Sequence, residues 1–181
     1  GVGKTTTVIN LAASLAAFEK DVLVVDLDPQ ANATSGMGLP LPSPKNIHAL
    51  LAGLADFDGS VVETGFEGMS AIPGSRDLAG LEIDLASQKG REFFLRARLR
   101  VPEMDRFDFV LIDCPPSLGL LTINALVAAD SVLLPLQSEY YALEGLSHLL
   151  DTIRRVRQLW NPAITMEGVL LTMYDRRLKL S

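Results

Sequence analysis

Five side chains in this sequence could act together on a chain of phosphates: Lys4, Thr5, Asp26, Asp28 and Asp113. The first two belong to the opening stretch Gly1-Val2-Gly3-Lys4-Thr5-Thr6. Glycines in such a turn let backbone N–H groups approach phosphate oxygens with no Cβ in the way. A helix starting near Lys4 aims its positive end at the same place. Lys4 adds a mobile cation for β- and γ-phosphates, and the Thr5 hydroxyl is placed to ligate Mg²⁺. Taken alone, the segment also reads as a plain Gly-rich turn, since it shows only the closing half of a phosphate-binding motif.

Asp26 and Asp28 follow Val22-Leu23-Val24-Val25, which reads as a buried parallel strand. Ligands of open α/β sheets bind outside the carboxyl ends of the strands. Two carboxylates there can hold a metal-bound water or position an attacking one; a lone Asp-x-Asp pair is more readily a solvated loop, and the company of Lys4 reverses that preference. Phe109-Val110-Leu111-Ile112 closes on Asp113, the form of a Walker B strand whose carboxylate reaches Mg²⁺. Pro115 and Pro116 stiffen the loop behind it, as suits a segment that senses the γ-phosphate. Together these motifs bring a lysine, a hydroxyl and three carboxylates to one sheet edge, and metal-dependent hydrolysis of a nucleoside triphosphate is the economical reading. Cys114 reads as a small filler, because no histidine follows in its neighbourhood. His48 and His148 fall on predicted helices at no ligand spacing.

The elements that must position these groups alternate. Val8, Leu11, Ala12, Leu15 and Ala16 recur at helical spacing behind the glycine turn. Further helices are predicted over 47–54 (capped by Asn46), 78–88, 92–100 and 141–159, with a loop and helix over 117–129. Further strands are predicted over 69–72, 131–136 and 169–173, with an edge strand in the polar stretch 56–68. Strands alternating with helices imply right-handed crossovers. The expected fold is therefore α/β: a doubly wound, mostly parallel sheet with helices on both faces.

Composition narrows the class. Of 181 residues, 48% are apolar and 21% charged, which excludes disordered and collagen-like chains. No apolar run approaches the roughly 20 residues that cross a bilayer. A single cysteine excludes a disulfide framework and points to a reducing compartment. The net charge is −6, but ten of the eleven arginines lie after position 90. Bulk charge does not suggest nucleic acid, while a local arginine patch in the second half could bind it.

Four segments carry a resemblance: Gly-Val-Gly-Lys-Thr-Thr-Thr from position 1, Val-Asp-Leu-Asp-Pro-Gln-Ala-Asn-Ala-Thr-Ser-Gly from 25, Leu-Ile-Asp-Cys-Pro-Pro-Ser-Leu-Gly from 111, and Glu-Tyr-Tyr-Ala-Leu-Glu-Gly-Leu from 139. The sequence resembles the ParA/Soj-type chromosome-partitioning ATPases, a branch of the deviant Walker A P-loop class. The resemblance implies that Gly1, Val2, Gly3, Lys4, Thr5 and Thr6 cradle the phosphates of ATP, with Lys4 as the phosphate-binding lysine and Met173 packed on the base. It implies Mg²⁺ on Thr5, supported through waters by Asp26 and Asp113, and a hydrolytic water oriented by Asp28. Asp113, Pro115 and Pro116 would form a switch, and Arg177 would contact DNA.

The same resemblance implies an ATP-dependent homodimer, DNA bound without sequence preference, and a ParB-like centromere-binding partner that stimulates a weak intrinsic hydrolysis. The expected location is cytoplasmic and nucleoid-associated, with no membrane. A MinD-like membrane-cycling ATPase is the alternative and needs a C-terminal amphipathic helix; the Asp-Pro-Gln at 28–30 fits the partitioning branch better. A nitrogenase-reductase-like carrier needs paired cysteines, and Cys114 is single. The family's loop opens Lys-Gly-Gly on a preceding strand, and its chain continues past the Arg177 segment. Residues 1–181 are therefore expected to be one P-loop ATPase domain, incomplete at both ends, lacking the first strand and the C-terminal elements. Such a fragment is expected to hydrolyse ATP weakly, if at all.

Overall fold

The computed structural model describes residues 2–137 and 142–173, with the side chains of 142–145 set aside. Gly1, Arg177 and most of the Glu-Tyr-Tyr segment therefore lie outside the described residues.

Gly3 sits in the left-handed region at φ 83° and ψ 20° and opens α1 (Lys4–Ala17). A residue with a Cβ would be strained there. The backbone N–H and the hydroxyl of Thr7 both donate to the Gly3 carbonyl, at 2.9 and 2.8 Å. After α1 the chain enters β1 (Val22–Asp26), then α2 (Asn32–Gly36), α3 (Ile47–Ala52), α4 (Phe57–Ser60), β2 (Val62–Glu63), β3 (Met69–Ile72) and α5 (Leu78–Leu85). The second half holds α6 (Phe94–Leu99), β4 (Phe109–Asp113), α7 (Leu120–Ala128), β5 (Ser131–Gln137), α8 (Ala142–Leu159) and β6 (Thr165–Thr172).

All five residues of β1 are buried because the strand is central: it pairs in parallel with β3 on one side and β4 on the other. Successive side chains go to opposite faces. Leu23 and Val25 join the larger core, under α3, α5, α6 and α7. Val22 and Val24 join the smaller one, against Ala12 of α1 and Ala33 of α2. The fold is thus α/β, with a mostly parallel sheet covered on both faces; among the described residues only the short edge strand β2 runs antiparallel, against β3.

The strands form two sheets among the described residues, one ordered β2-β3-β1-β4 and one pairing β5 with β6. α7 joins their cores. Leu121 and Ala125 pack in the cluster beneath the larger sheet, while Leu126 and Val127 pack against Ile153 and Val156 of α8. Buried amides fix this helix in place. Asn124 donates to the Arg91 carbonyl at 2.8 Å and accepts from the Leu95 N–H at 3.1 Å. Asn161 donates to the carbonyls of Leu126 and Ala129 at the far end of α7, at 3.0 and 2.7 Å.

Several sequence expectations change in detail. The helix expected over 92–100 divides into a 3₁₀ turn at Arg91–Phe93 followed by α6. The helix expected over 78–88 ends at Leu85. The last strand begins at Thr165 rather than 169, because hydrogen bonds to β5 extend it through a polar stretch with no apolar signature.

Central burial sets the energetic scale. Leu23→Ala, at a side chain with no exposure, is expected to cost about 2–5 kcal/mol in urea unfolding. Phe18→Ala, at a side chain 79% exposed, should change stability by no more than about 0.5 kcal/mol.

Candidate active site

The register of β1 on β4 sets Asp26 opposite Asp113 at the carboxyl end of the sheet. α1 begins at the same end, and the Thr5 hydroxyl donates to Asp113 Oδ2 at 2.7 Å. Asp113 is 1% exposed, and its second oxygen, Oδ1, is buried with no hydrogen-bond partner. Burial pushes the Asp113 carboxyl up from the usual 3.8 to about 6. The hydrogen bond from Thr5 opposes that rise, the charges of Asp26 and Asp28 add to it, and the Lys4 ammonium opposes it. Lys4, Thr5, Asp26 and Asp28 thus all bear on Asp113.

The three acids are held differently. Asp26 Oδ2 accepts from both the N–H and the hydroxyl of Thr34, at 2.8 and 2.6 Å, and Oδ1 accepts from the Asp28 N–H at 3.2 Å. The Thr34 hydroxyl in turn accepts from the Gly74 N–H at 2.7 Å. Gly74 presses on this pair: a Cβ there would lie 2.9 Å from the Asp26 carboxyl and 3.0 Å from the Ala31 side chain. Burial raises the pKa of Asp26, and Thr34 chiefly counters it. Asp28 accepts from the Gln30 N–H at 2.9 Å, which closes its own loop, and it stays 7% exposed. The next bend needs a strained residue, Ala31 at φ 51°.

The residues present suit a hard divalent cation. Asp113 Oδ1 is a buried oxygen without a donor, and the Thr5 hydroxyl stands beside the same carboxylate; Mg²⁺ takes such oxygen ligands. Asp26 has both oxygens bonded to protein groups, so its share in holding an ion is its charge. The first turn of α1 contains no acidic residue, so the helix end is free to face an anion.

Met173 lines a cleft with Gly3, Thr6 and Thr172. The Thr172 hydroxyl donates to the Val2 carbonyl at 2.8 Å and ties the glycine turn to the end of β6. The structure therefore brings Val2, Gly3, Lys4, Thr5, Thr6 and Met173 to one end of the sheet with the acids. In the loop behind β4, Pro115 is buried and Pro116 exposed. Burial, with the charge of Asp113 behind it, pushes the Cys114 thiol up to about 12, so this cysteine is no nucleophile at neutral pH. Sequence reasoning passed over Thr34 and Gly74. Thr34 lies in the quoted Asp-Pro-Gln-Ala-Asn-Ala-Thr-Ser-Gly segment, and a hydroxyl eight residues after a buried acid was the available signal.

Residues 1–166 match a protein family described as an AAA domain. The chain is 52% identical over 182 residues to the chromosome partitioning protein ParA of Myxococcus xanthus, an alignment that covers all of this chain and 64% of that protein. It is 50% identical over 181 residues to the sporulation initiation inhibitor protein Soj of Bacillus subtilis, covering 99% of this chain and 71% of that protein. The chain belongs to the ParA/Soj family of chromosome-partitioning ATPases. It spans just under two thirds of the Myxococcus ParA. Among solved structures it resembles a cobyrinic acid a,c-diamide synthase from Mycobacterium smegmatis with bound ATP analogue and magnesium, at TM-score 0.92 and 44% identity over 98% of this chain and 72% of that one. A plasmid partition protein from Borrelia burgdorferi superposes at TM-score 0.82 with 27% identity, over 97% of this chain and 75% of that one.

This ParA/Soj site has a testable pH signature. Asp113 titrates near 6 when folded and near 3.8 when unfolded, so the folded state holds the proton more tightly. The stability this group contributes is complete below the unfolded value and is lost as pH rises through about 6. Asp113→Asn keeps an oxygen for Thr5 and removes the charge. Its thermal midpoint in the absence of nucleotide should exceed that of the wild type at about pH 7.5, and the gap should close towards about pH 4.

Proposed function

We propose that this chain is the nucleotide-binding portion of a DNA-partitioning ATPase, which binds and hydrolyses Mg-ATP and couples nucleotide state to dimerisation and DNA binding. The bond between Thr5 and Asp113, with the orphaned Asp113 oxygen beside it, carries this reading. Membership of the ParA/Soj family and the likeness to a synthase with bound ATP analogue and magnesium support it.

In this reading the backbone N–H groups from Gly1 to Thr6 hold the phosphates, and Lys4 sets its ammonium against the β- and γ-phosphates. Thr5 and Asp113 hold Mg²⁺, with Asp26 adding charge behind them. When bound, the ion neutralises charge on the transferred phosphoryl group. Asp28 orients the attacking water. Asp26 and Thr34 fix the loop that carries Asp28, so the water is positioned by a buried scaffold rather than a free side chain. Met173 packs against the base. Asp113, Pro115 and Pro116 link the γ-phosphate to the loop ahead of α7.

The wider assignments follow the family. ATP favours a homodimer, and the dimer joins two weak arginine patches, including Arg177, into one DNA-binding surface. A ParB-like centromere-binding protein stimulates hydrolysis and releases the DNA, which places the protein on the nucleoid in the cytoplasm. None of the described helices is long and apolar enough to cross a membrane.

Two measurements test this. Asp28→Ala should retain ATP affinity within about threefold while steady-state turnover falls by about a hundredfold or more; unchanged turnover would remove its role. Retention on non-specific DNA should require ATP and weaken steeply with salt. Arg177→Glu should lose that retention yet still dimerise, and normal DNA binding by this variant would end the DNA assignment.

A further inference from the structure

The loop of residues 114–119 runs from the candidate site to α7. Its entrance is fixed by Asp113, bonded to Thr5. Its exit depends on a residue from another part of the chain. Glu82 of α5 reaches across to the start of α7, where its Oε1 accepts from the Leu120 N–H at 2.7 Å and from the Leu121 N–H at 3.4 Å. Gly119 occupies the cap position of α7 and has no side chain to perform this task. A carboxylate at a helix N-terminus satisfies orphan donors and meets the positive end of the helix dipole. Such caps are usually local to the helix; this one comes from 38 residues away.

Gly119 makes the approach possible. Its backbone is ordinary, at φ −80° and ψ −169°, so nothing in its conformation calls for glycine. A Cβ at this position would lie 2.5 Å from Glu82 Oε1, so the flexible end of the Glu82 side chain would have to shift from its present bonds. The two residues fit each other as key and keyhole. Glu82 is also well placed to feel the other side of the site. Its helix begins four residues after Gly74, whose N–H is bonded to the Thr34 hydroxyl and through it to Asp26. The segment from Gly74 into α5 therefore carries a bond to the Thr34–Asp26 pair at one end and to the start of α7 at the other.

We propose that Glu82 is a positioning residue: by clamping the first turn of α7 through the gap left by Gly119, it holds the loop 114–119 in the register that the Thr5–Asp113 pair requires. The clamp itself is independent of any nucleotide; its effect on turnover rests on the ATP-hydrolysing reading above.

Cys114, the only cysteine among these 181 residues, lies in this loop; its thiol is unreactive while the loop is closed and is alkylated only when the loop opens, so the rate at Cys114 reports that opening. In the full-length protein without nucleotide, Glu82→Ala should raise the rate of Cys114 alkylation by iodoacetamide about tenfold, the loss expected for one charge-assisted hydrogen bond. Glu82→Gln keeps an acceptor oxygen without the charge and should fall between wild type and Glu82→Ala, within about threefold of wild type. Gly119→Ala should displace the end of Glu82 and loosen the loop by no more than Glu82→Ala does, yet add nothing in the Glu82→Ala background, since the clash is then gone. With ATP, Glu82→Ala should lower kcat about five- to tenfold while nucleotide affinity stays within about twofold. Wild-type alkylation rates in Glu82→Ala, or equal harm from Gly119→Ala in both backgrounds, would overturn the clamp. If Glu82→Ala does not fold, Glu82→Met, of similar length with no oxygen acceptor, decides: an unchanged alkylation rate rejects the proposal, and a rise well above that of Glu82→Gln supports it. A wild-type protein that binds no ATP sinks the hydrolytic reading, while the alkylation rates still judge the clamp.

Discussion

The hydrogen bond from the Thr5 hydroxyl to the Asp113 carboxylate, 2.7 Å long across 108 residues of sequence, is the contact on which the site depends. It requires the left-handed turn at Gly3 to start α1 at the sheet end. It also requires β4 to lie in its observed register on β1. A slip of one residue would turn every β4 side chain to the opposite face and take Asp113 away from both Thr5 and Asp26. The packing that enforces the register is the burial of β1, whose alternate residues are claimed by two separate cores. Fold stability and site geometry are thus the same constraint expressed at two scales.

Three acids buried together would repel one another if left alone. The structure relieves them unevenly. Asp26 is given three hydrogen bonds and becomes part of the scaffold. Asp28 is held by its own turn and keeps slight access to solvent. Asp113 receives one donor, from Thr5, and keeps an unpaired oxygen. The electrostatic cost therefore concentrates on the one carboxylate best placed to meet a cation. Strongly perturbed groups of this kind gather at functional sites, where binding of a ligand recovers the stability that folding gives up.

Much of this arrangement was legible in the residues. The apolar runs ending in Asp26 and Asp113 announced β1 and β4; β1 is buried throughout because it lies between two strands, whereas β4 closes the edge of its sheet among the described residues and leaves Phe109 42% exposed. Asn46 announced its helix, and its side chain does accept from the Ala49 N–H at 2.9 Å. What stayed hidden was structure made by tertiary contacts. α2 is built from Asn-Ala-Thr-Ser-Gly, a weak helical sequence, and Asp26 stabilises it by accepting from its Thr34. The opening of β6, Thr-Met-Glu-Gly, carries no strand signature and is extended only because β5 lies alongside. Glu82 could not be found from its neighbours in sequence, since the groups it serves lie on another helix. The positions of Lys4 and the three acids, by contrast, follow from one rule about strand ends and helix starts.

The two asparagine contacts at α7 bear on how this helix can move. Asn161 grips its last carbonyls from the α8 side, and Asn124 anchors its middle to the segment around Arg91. With the tail fastened, displacement has to take the form of a pivot rather than a slide. Nine residues make a rod about 14 Å long, so a tilt of about 10° carries the leading turn roughly 2 Å while the tail stays put. A small event beside the phosphates would thus fall on the leading turn of α7, the end of the rod with the longest reach and the one that Glu82 holds.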